Sequence, residues 1–383
     1  MAQSTNQRFV QEKVSAGRVI VLAGAFVGLL IGSGFATGQE IMQYFVSYGY
    51  AGILGAIACL VLLAFVGMSF TSVGNAEQFE RGSEIYGYYC GPYLGKFYDV
   101  FSNIFVYMSY IIMISGAAAT GAQQYGLPRL AGGGLMMAAS ILCVLLGLKK
   151  FINIIGTIMP VVITVCLILA LIVLSKYAGQ IPTNQALIPG LVASGTIKRV
   201  SVNWFMATLS YVGFCMLWLA AFLAETGRTC KGQKESRWGS LTGALAFSVA
   251  VILLTLALMS KVPAVAGADI PSLILANEIH PLFGNLYSLM MFIGIFTTAV
   301  PLLWNPCARF AKEGTPRFRI LVLGLGIAGG IIGLFVEFPQ LINILYGING
   351  YVGILLLILM VVHFVRYGGF LKPSSKEKLG RPL

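Results

Sequence analysis

The sequence has little charge and few groups suited to catalysis or metal binding. Only 10% of its 383 residues are charged, 13 residues are Asp or Glu, and two are His. So few ionisable side chains leave too little polar surface for a soluble globule and few candidates for acid-base or metal chemistry. We therefore expect neither an enzyme nor an organic cofactor. The formal net charge of +12 has to be located before it can suggest a nucleic-acid partner.

The sequence also lacks a cysteine framework. Its seven cysteines are scattered through apolar stretches and short loops, and no two of them form a CxxC pair. This scatter argues against a set of extracellular disulfides and against a cysteine metal site. The expected role of these residues is that of small buried side chains.

Apolar residues are abundant instead. They make up 58% of the chain, and the mean hydropathy is +0.86. Continuous apolar runs, unlike the alternating pattern of barrel strands, predict transmembrane helices of about 20 residues. Ten such spans occur, at residues 18 to 46, 50 to 74, 98 to 122, 132 to 148, 151 to 175, 200 to 225, 239 to 260, 282 to 304, 318 to 336 and 341 to 366. We predict an all-α, multi-pass protein of the lipid bilayer.

The basic residues support this span count. The two tails and the loops after spans 2, 4, 6 and 8 hold 20 of the 25 Lys and Arg, and the other loops hold five. Because positive residues mark the cytoplasmic side, both termini are predicted to be cytoplasmic, in the plasma membrane. The charge then reflects topology and not a nucleic-acid surface. The predicted organisation is a tail at 1 to 17, a transmembrane domain at 18 to 366 and a tail at 367 to 383.

The first span carries the run GSGFATGQE at residues 32 to 40. A glycine costs about 1 kcal/mol inside a helix, and an intramembrane glutamate is costly unless it faces protein or water. A break in the helix accounts for both features. Freed backbone groups at bilayer depth are tolerated where they line a cavity or hold a ligand, so the run predicts a binding site. The alternative is that the glycines only permit close helix packing.

Thr37 and Glu40 within this run have the spacing of a capping box. In that arrangement the Thr37 hydroxyl accepts from the Glu40 amide, and the Glu40 carboxylate accepts from the Thr37 amide. Glu40 has two other possible roles, as a group that takes up a proton during transport or as a partner for a substrate ammonium. We treat both residues as candidates for coupling or gating.

An inverted repeat would place a matching interruption in span 6. Five spans followed by five more of opposite orientation give repeats at about 18 to 175 and 200 to 366. Span 6 contains the run Ser210-Tyr211-Val212-Gly213-Phe214, which is polar and contains a glycine. We therefore predict a second broken helix there.

These features resemble the LeuT-fold transporters of the amino acid-polyamine-organocation (APC) superfamily. The stretch IGSGFATGQEIMQYF at 31 to 45 is most similar to the YkvI-like membrane protein family. The resemblance implies a 5+5 inverted repeat with discontinuous helices 1 and 6. It also implies substrate contacts from both breaks and from span 3. The residues implicated are Gly32, Ser33, Gly34, Tyr107, Ser210, Tyr211 and Gly213.

The resemblance further implies a sodium ion between spans 1 and 8. The corresponding carbonyls and hydroxyls belong to Gly28, Ile31, Gly294, Thr297 and Thr298. Five hard oxygen donors suit a small alkali cation, although threonines in membrane helices commonly bond their own helix instead. Span 5 holds no lysine that could replace the ion, which favours sodium.

The function predicted is secondary active transport by alternating access. The expected protein is a sodium-coupled symporter of a small solute, such as an amino acid or a related amine. One alternative is a ligand sensor that resembles the permease-like subunits of germinant receptors. Another is a proton-coupled transporter that uses Glu40. A channel is disfavoured because no ring of intramembrane charges occurs.

Overall fold

The computed structural model describes residues 14 to 30, 33 to 147 and 152 to 379, without the side chains of 33, 152 to 160 and 376. Every regular element in these ranges is helical. The helices are α1 (Ala16–Leu30), α2 (Ser33–Thr37), α3 (Gln39–Tyr44), α4 (Tyr50–Glu77), α5 (Glu84–Tyr125), α6 (Arg129–Leu146), α7 (Ile152–Tyr177), α8 (Ile181–Gln185), α9 (Ile188–Ala193), α10 (Trp204–Arg228), α11 (Gln233–Ser260), α12 (Val262–Val265), α13 (Pro271–Ile279), α14 (Pro281–Phe310), α15 (Pro316–Phe335), α16 (Phe338–Leu341), α17 (Gly347–Tyr367) and α18 (Pro373–Lys378). A π-helical turn, Ile342–Tyr346, joins α16 to α17.

The helices confirm the predicted all-α, ten-span architecture. Nine segments of the described chain are long and apolar enough to cross a bilayer. The first span is the tenth, and it is divided among α1, α2 and α3. The helices extend beyond the apolar runs: α5, for example, begins at Glu84 and contains a kink at Gly91. Sequence hydropathy therefore located the spans but not their ends.

Successive loops lie on alternating faces of the bundle, as the span order requires. On the face that carries the first and last described residues, the Arg18 guanidinium donates to the Thr229 carbonyl at 2.8 Å. On the other face, the Tyr48 hydroxyl donates to the Ser201 carbonyl at 2.6 Å. We call these the N-terminal face and the opposite face. The N-terminal face holds residues 14 to 18, 78 to 83, 229 to 232, 311 to 315 and 368 to 379.

The second break, predicted in span 6, is wrong. Helix α10 runs without interruption from Trp204 to Arg228 and packs against α4 and α17. A Cβ atom at Gly213 would lie 2.2 Å from the carbonyl oxygen of Gly350 in α17. The glycine therefore allows two helix backbones to touch, and it does not bend its own helix.

A candidate solute-binding cavity

Span 1 is interrupted, as predicted. Between α2 and α3, Gly38 has a φ of +77°, and its amide donates to the Phe35 carbonyl at 3.0 Å. A Cβ atom at Gly38 would lie 2.4 Å from the Ser272 hydroxyl of α13. Both the positive φ and the close approach require glycine. Ile31 and Gly32 lie outside the described residues, and the Ser33 side chain is not described.

The predicted capping box does not form. The Thr37 hydroxyl accepts from the Gln39 amide at 3.2 Å and donates to the Gly34 carbonyl at 2.6 Å. No side chain caps α3. The reason is that Thr37 is the last residue of α2, and left-handed Gly38 separates it from α3. Glu40 is thus not used as a cap.

A cavity of about 430 Å³ extends from this break to the N-terminal face. Its deep end is lined by Gly34, Phe35, Glu40 and Tyr346. Its mouth is lined by Ser83, Asp99, Glu225 and Arg309. A volume of this size is typical of sites for small solutes. At the mouth, the Arg309 guanidinium pairs with the Asp99 carboxylate at 2.7 Å.

Glu40 places a carboxylate at the deep end of the cavity. The side chain is 3% exposed, and its Oε1 accepts a long hydrogen bond of 3.5 Å from the Tyr211 hydroxyl. Its Oε2 would lie 3.2 Å from a Cβ atom at Gly34, so this oxygen faces the broken helix. Within the described chain, no lysine, arginine or histidine forms an ion pair with Glu40. A carboxylate buried in this way is stable when it holds a proton or when a cation lies against it.

Aromatic rings surround this carboxylate. The Tyr346 ring stacks on Phe214 at 4.5 Å and meets the Trp218 ring edge-on at 5.6 Å. The Tyr346 hydroxyl and the Trp218 indole N–H are buried, with no hydrogen-bond partner in the described part of the chain. Aromatic side chains near a buried carboxylate suit an organic cation, and the Tyr346 hydroxyl and Trp218 N–H suit a solute that also accepts hydrogen bonds.

The structure places the residues predicted in span 6 in two different environments. Tyr211 reaches Glu40, as described above. Ser210 and Gly213 instead pack against the α17 backbone, and the structure does not bring them to the cavity. The cavity wall from α10 consists of Leu217, Trp218, Ala221, Phe222 and Glu225. Their helical spacing from Tyr211 was the signal available in the sequence.

Tyr107, also predicted to contact the solute, does not line the cavity. Its hydroxyl donates to the Leu325 carbonyl of α15 at 3.0 Å. The cavity face of α5 presents Asp99, Ser102, Asn103, Val106 and Met113 instead. The polar residues Asp99, Ser102 and Asn103 recur at helical spacing, and they were the signal available in the sequence for the side of α5 that faces the cavity.

The predicted sodium donors are only partly described. The Thr297 and Thr298 hydroxyls donate to the Gly294 carbonyl at 3.0 and 2.8 Å, within their own helix. Thr298 lines the cavity, and Gly28 belongs to α1. A hydroxyl that donates its proton to its own helix keeps its oxygen lone pairs free for a cation, so these bonds are compatible with an ion, but Ile31, another predicted donor, lies outside the described residues. The sodium site therefore remains a prediction.

Side chains close the bundle between the cavity and the opposite face. The Gln43 amide donates to the Pro339 carbonyl at 2.8 Å and accepts from Asn343 at 2.9 Å. Arg199 donates to the Ser47 carbonyl at 2.7 Å. A separate hollow of about 260 Å³, lined by residues that include Gln39 and Met42 of α3, lies beyond this layer. The main cavity therefore opens toward the N-terminal face.

Comparison with known proteins supports the fold expected from span 1. No family model matches the chain. The uncharacterized protein YyaD of Bacillus subtilis (strain 168) is 25% identical over 355 residues, which cover 88% of this chain and 94% of YyaD. The uncharacterized membrane protein YkvI of the same organism is 22% identical over 344 residues, covering 89% and 94%. The crystal structure of MhsT in complex with L-phenylalanine superposes with a TM-score of 0.61 at 15% identity, covering 96% of this chain and 92% of MhsT.

These matches show that the chain has the LeuT fold, shared with MhsT. The likeness to YkvI, expected from residues 31 to 45, extends over almost the whole chain. The resemblance predicted from the first span is thus confirmed at the level of the fold.

Proposed function

We propose that this protein is a secondary active transporter of a small solute that works by alternating access. The observation that carries the proposal is a cavity that opens at only one face of the bundle. The cavity extends from the N-terminal face to the broken helix in mid-bundle, and packed side chains separate it from the opposite face. Alternating access requires this one-sided opening around a central site. The loop charges favour a cytoplasmic N-terminal face at the plasma membrane, and in that orientation this conformation faces inward.

We further propose that the solute carries an amino group, as amino acids and related amines do. Glu40 supports this choice because it is a buried carboxylate, without a described cationic partner, on the cavity wall. An ammonium group would neutralise it, and Trp218 and Tyr346, which line the same cavity, supply aromatic rings for cation–π attraction. The solved MhsT complex contains an amino acid, L-phenylalanine, in the same fold.

A thermal-shift screen identifies the solute class. The purified protein is heated with common L-amino acids, and each hit is compared with its decarboxylated amine and its deaminated acid. A ligand of the folded state raises the unfolding temperature. We expect the amino acid or its amine to stabilise the protein, and the deaminated acid to have little effect. A screen in which only deaminated acids stabilise the protein would contradict the role given to Glu40.

Uptake then tests transport itself. Proteoliposomes containing the protein are given the stabilising solute under an imposed sodium or proton gradient. Accumulation above equilibrium is expected under one of the two gradients. Specific binding without uptake would reject the transporter and support the sensor predicted as the alternative.

For the coupling ion we propose sodium, bound by oxygen donors of spans 1 and 8. Thr298 supports this proposal because it lines the cavity and carries a hydroxyl oxygen that can bind a cation. Replacing Thr298 with Ala removes one ligand and should raise the sodium concentration for half-maximal uptake by roughly tenfold, which corresponds to about 1.4 kcal/mol. Thr255→Ala is the matched control, since Thr255 bonds its own helix at 2.7 Å in α11 and does not line the cavity.

A proton is the second candidate for coupling, favoured by the burial of Glu40. Equal sodium titrations of the Thr298→Ala and Thr255→Ala variants would remove the sodium assignment. Uptake driven by a pH gradient in sodium-free buffer, and lost in Glu40→Gln, would then assign coupling to Glu40.

A further inference from the structure

The start of α5 forms a separate short segment at the mouth of the cavity. Helical geometry is interrupted at Gly91, with φ +73° and ψ −177°, and the next residue is Pro92. Proline has no N–H to donate, so the hydrogen-bond ladder of the helix is broken at this point. We call residues 84 to 90 the mouth segment. Gly91 is a natural pivot between it and the rest of α5, because a Cβ atom there would meet no neighbour within 4 Å.

One side of the mouth segment lines the cavity. Tyr86 is on the cavity wall, and its hydroxyl donates to the Leu217 carbonyl of α10 at 3.1 Å. Ser83, directly before the segment, also lines the mouth. The Gly82 amide donates to the Glu225 carboxylate at 3.2 Å. A movement of the mouth segment would therefore change the width of the cavity entrance.

Another part of the mouth segment is held by the chain that follows α17. The Lys372 amide donates to the Tyr88 hydroxyl at 2.8 Å, and the Lys372 ammonium donates to the Tyr88 carbonyl at 2.8 Å. The same ammonium lies 4.2 Å from the centre of the Tyr88 ring. Three interactions thus join one lysine of the C-terminal segment to one tyrosine of the mouth segment.

The C-terminal segment is also anchored to the end of α4. Ser375 is fully buried, and its hydroxyl bonds the Glu77 carboxylate and lies 3.1 Å from the Tyr88 hydroxyl. Lys378 forms an ion pair with Glu77. Leu371 is 3% exposed, so the segment also inserts an apolar side chain. Terminal segments are usually poorly ordered unless contacts of this kind hold them, so these contacts fix the C-terminal segment to the bundle.

We infer that residues 368 to 379 are a strap that holds the mouth segment in place and so regulates the width of the cavity entrance. Release of the strap would remove the contacts of Lys372 and Ser375 with Tyr88 and so favour a turn of the segment at Gly91, which the Tyr86 hydrogen bond and the ring contacts of Tyr88 and Tyr89 with His363 would still oppose. Because Tyr86 and Tyr88 belong to the same short segment, such a turn moves the Tyr86 side of the entrance. This inference concerns the entrance and does not depend on whether the solute is transported.

Two neighbouring serines provide a matched test. Ser375→Glu places a second carboxylate against Glu77 in a buried position, where like charges repel and desolvation is unfavourable. Ser374→Glu adds the same charge at an exposed residue of the same helix. We expect the first variant to release the strap and the second to leave it bound.

Cys90 in the mouth segment is a native reporter. It is partly exposed, whereas the other six cysteines are buried. A water-soluble maleimide should alkylate Cys90 of the purified protein about tenfold faster in Ser375→Glu than in Ser374→Glu, as expected for an opening favoured by about 1.4 kcal/mol. A Cys90→Ser background confirms the labelled site. Equal rates in the two folded variants would overturn the inference.

Tyr88→Phe is the second variant, in case Ser375→Glu lowers the unfolding temperature of the whole protein. It keeps the ring and removes only the hydroxyl that accepts from the Lys372 amide and contacts Ser375. We expect faster Cys90 alkylation at an unchanged unfolding temperature. An unchanged alkylation rate would mean that the strap does not restrain the mouth segment.

Discussion

Spans 1 and 6 occupy equivalent places in the two repeats, yet only span 1 is broken. Span 1 is divided into α1, α2 and α3, with a left-handed glycine at position 38. Span 6 is the single helix α10, and Gly213 within it contacts the backbone of α17. The same residue type thus interrupts one helix and brings another close to its neighbour.

The difference shows what a glycine in a membrane helix needs in order to mark a binding site. In span 1 the glycines are followed within a turn by Glu40, and a cavity lies beside them. In span 6, Gly213 is followed directly by the buried residues Phe214, Cys215 and Met216, none of which is charged. A polar or charged neighbour is therefore the stronger signal, because a buried charge is tolerated only beside a ligand, a partner or water.

Gly213→Ala should have the largest effect, since it places a Cβ atom 2.2 Å from the Gly350 carbonyl oxygen. Overpacking at a backbone contact should destabilise the protein by about 3 kcal/mol. Thermal unfolding in detergent measures this loss. Gly324→Ala in α15 is the control, because no atom lies within 4 Å of its added Cβ atom. Equal stability of the two variants would mean that α10 and α17 do not touch as the structure shows.

Glu40→Gln comes next, with an effect on binding and not on the fold. Loss of the buried charge should weaken binding of an amine-bearing solute by roughly 100-fold, or about 2.7 kcal/mol. Calorimetric titration with the solute found by thermal shift gives the affinity. Glu225→Gln changes an exposed carboxylate at the mouth of the same cavity and should alter the affinity little. Similar losses in both variants would assign the effect to the general charge of the cavity.

Gly34→Ala should have the smallest effect of the three. The added Cβ atom would lie 3.2 Å from the Glu40 carboxylate and 3.4 Å from the Tyr346 hydroxyl, so it narrows the deep end without a severe clash. We expect about tenfold weaker binding, or about 1.4 kcal/mol, in a stable protein. Gly24→Ala in α1, where the added Cβ atom meets no neighbour within 4 Å, is the control. Unchanged affinity would mean that the solute does not contact α2.

The span positions, the alternating loops and the break in span 1 were predictable because each has a local cause. A helix in lipid must be apolar and must satisfy its own backbone, so every span is visible in the sequence. Gly32, Gly34 and Gly38 with Glu40 are visible for the opposite reason, since no unbroken apolar helix would contain them.

The differences between the predicted site and the cavity share one cause, which is helix rotation. Tyr107 is predicted at the solute site but bonds α15, and Trp218, which the sequence does not single out, lies on the cavity wall. Aromatic residues occur on every side of these helices, because lipid and protein neighbours are both apolar. In α5 the side that points inward is marked by the polar residues Asp99, Ser102 and Asn103, and not by Tyr107.

The sequence by itself determined that this is a helical membrane protein, how many spans it has, on which face each loop lies and where the first helix breaks. Only the tertiary structure decided which glycines bend a helix and which join two helices, and which rings surround Glu40. It alone also brought residues 368 to 379 against Tyr88. The physical reason is that the first group of properties arises within single segments, from hydropathy, charge and glycine. The second group depends on contacts between segments distant in sequence, set by how each helix is rotated in the bundle.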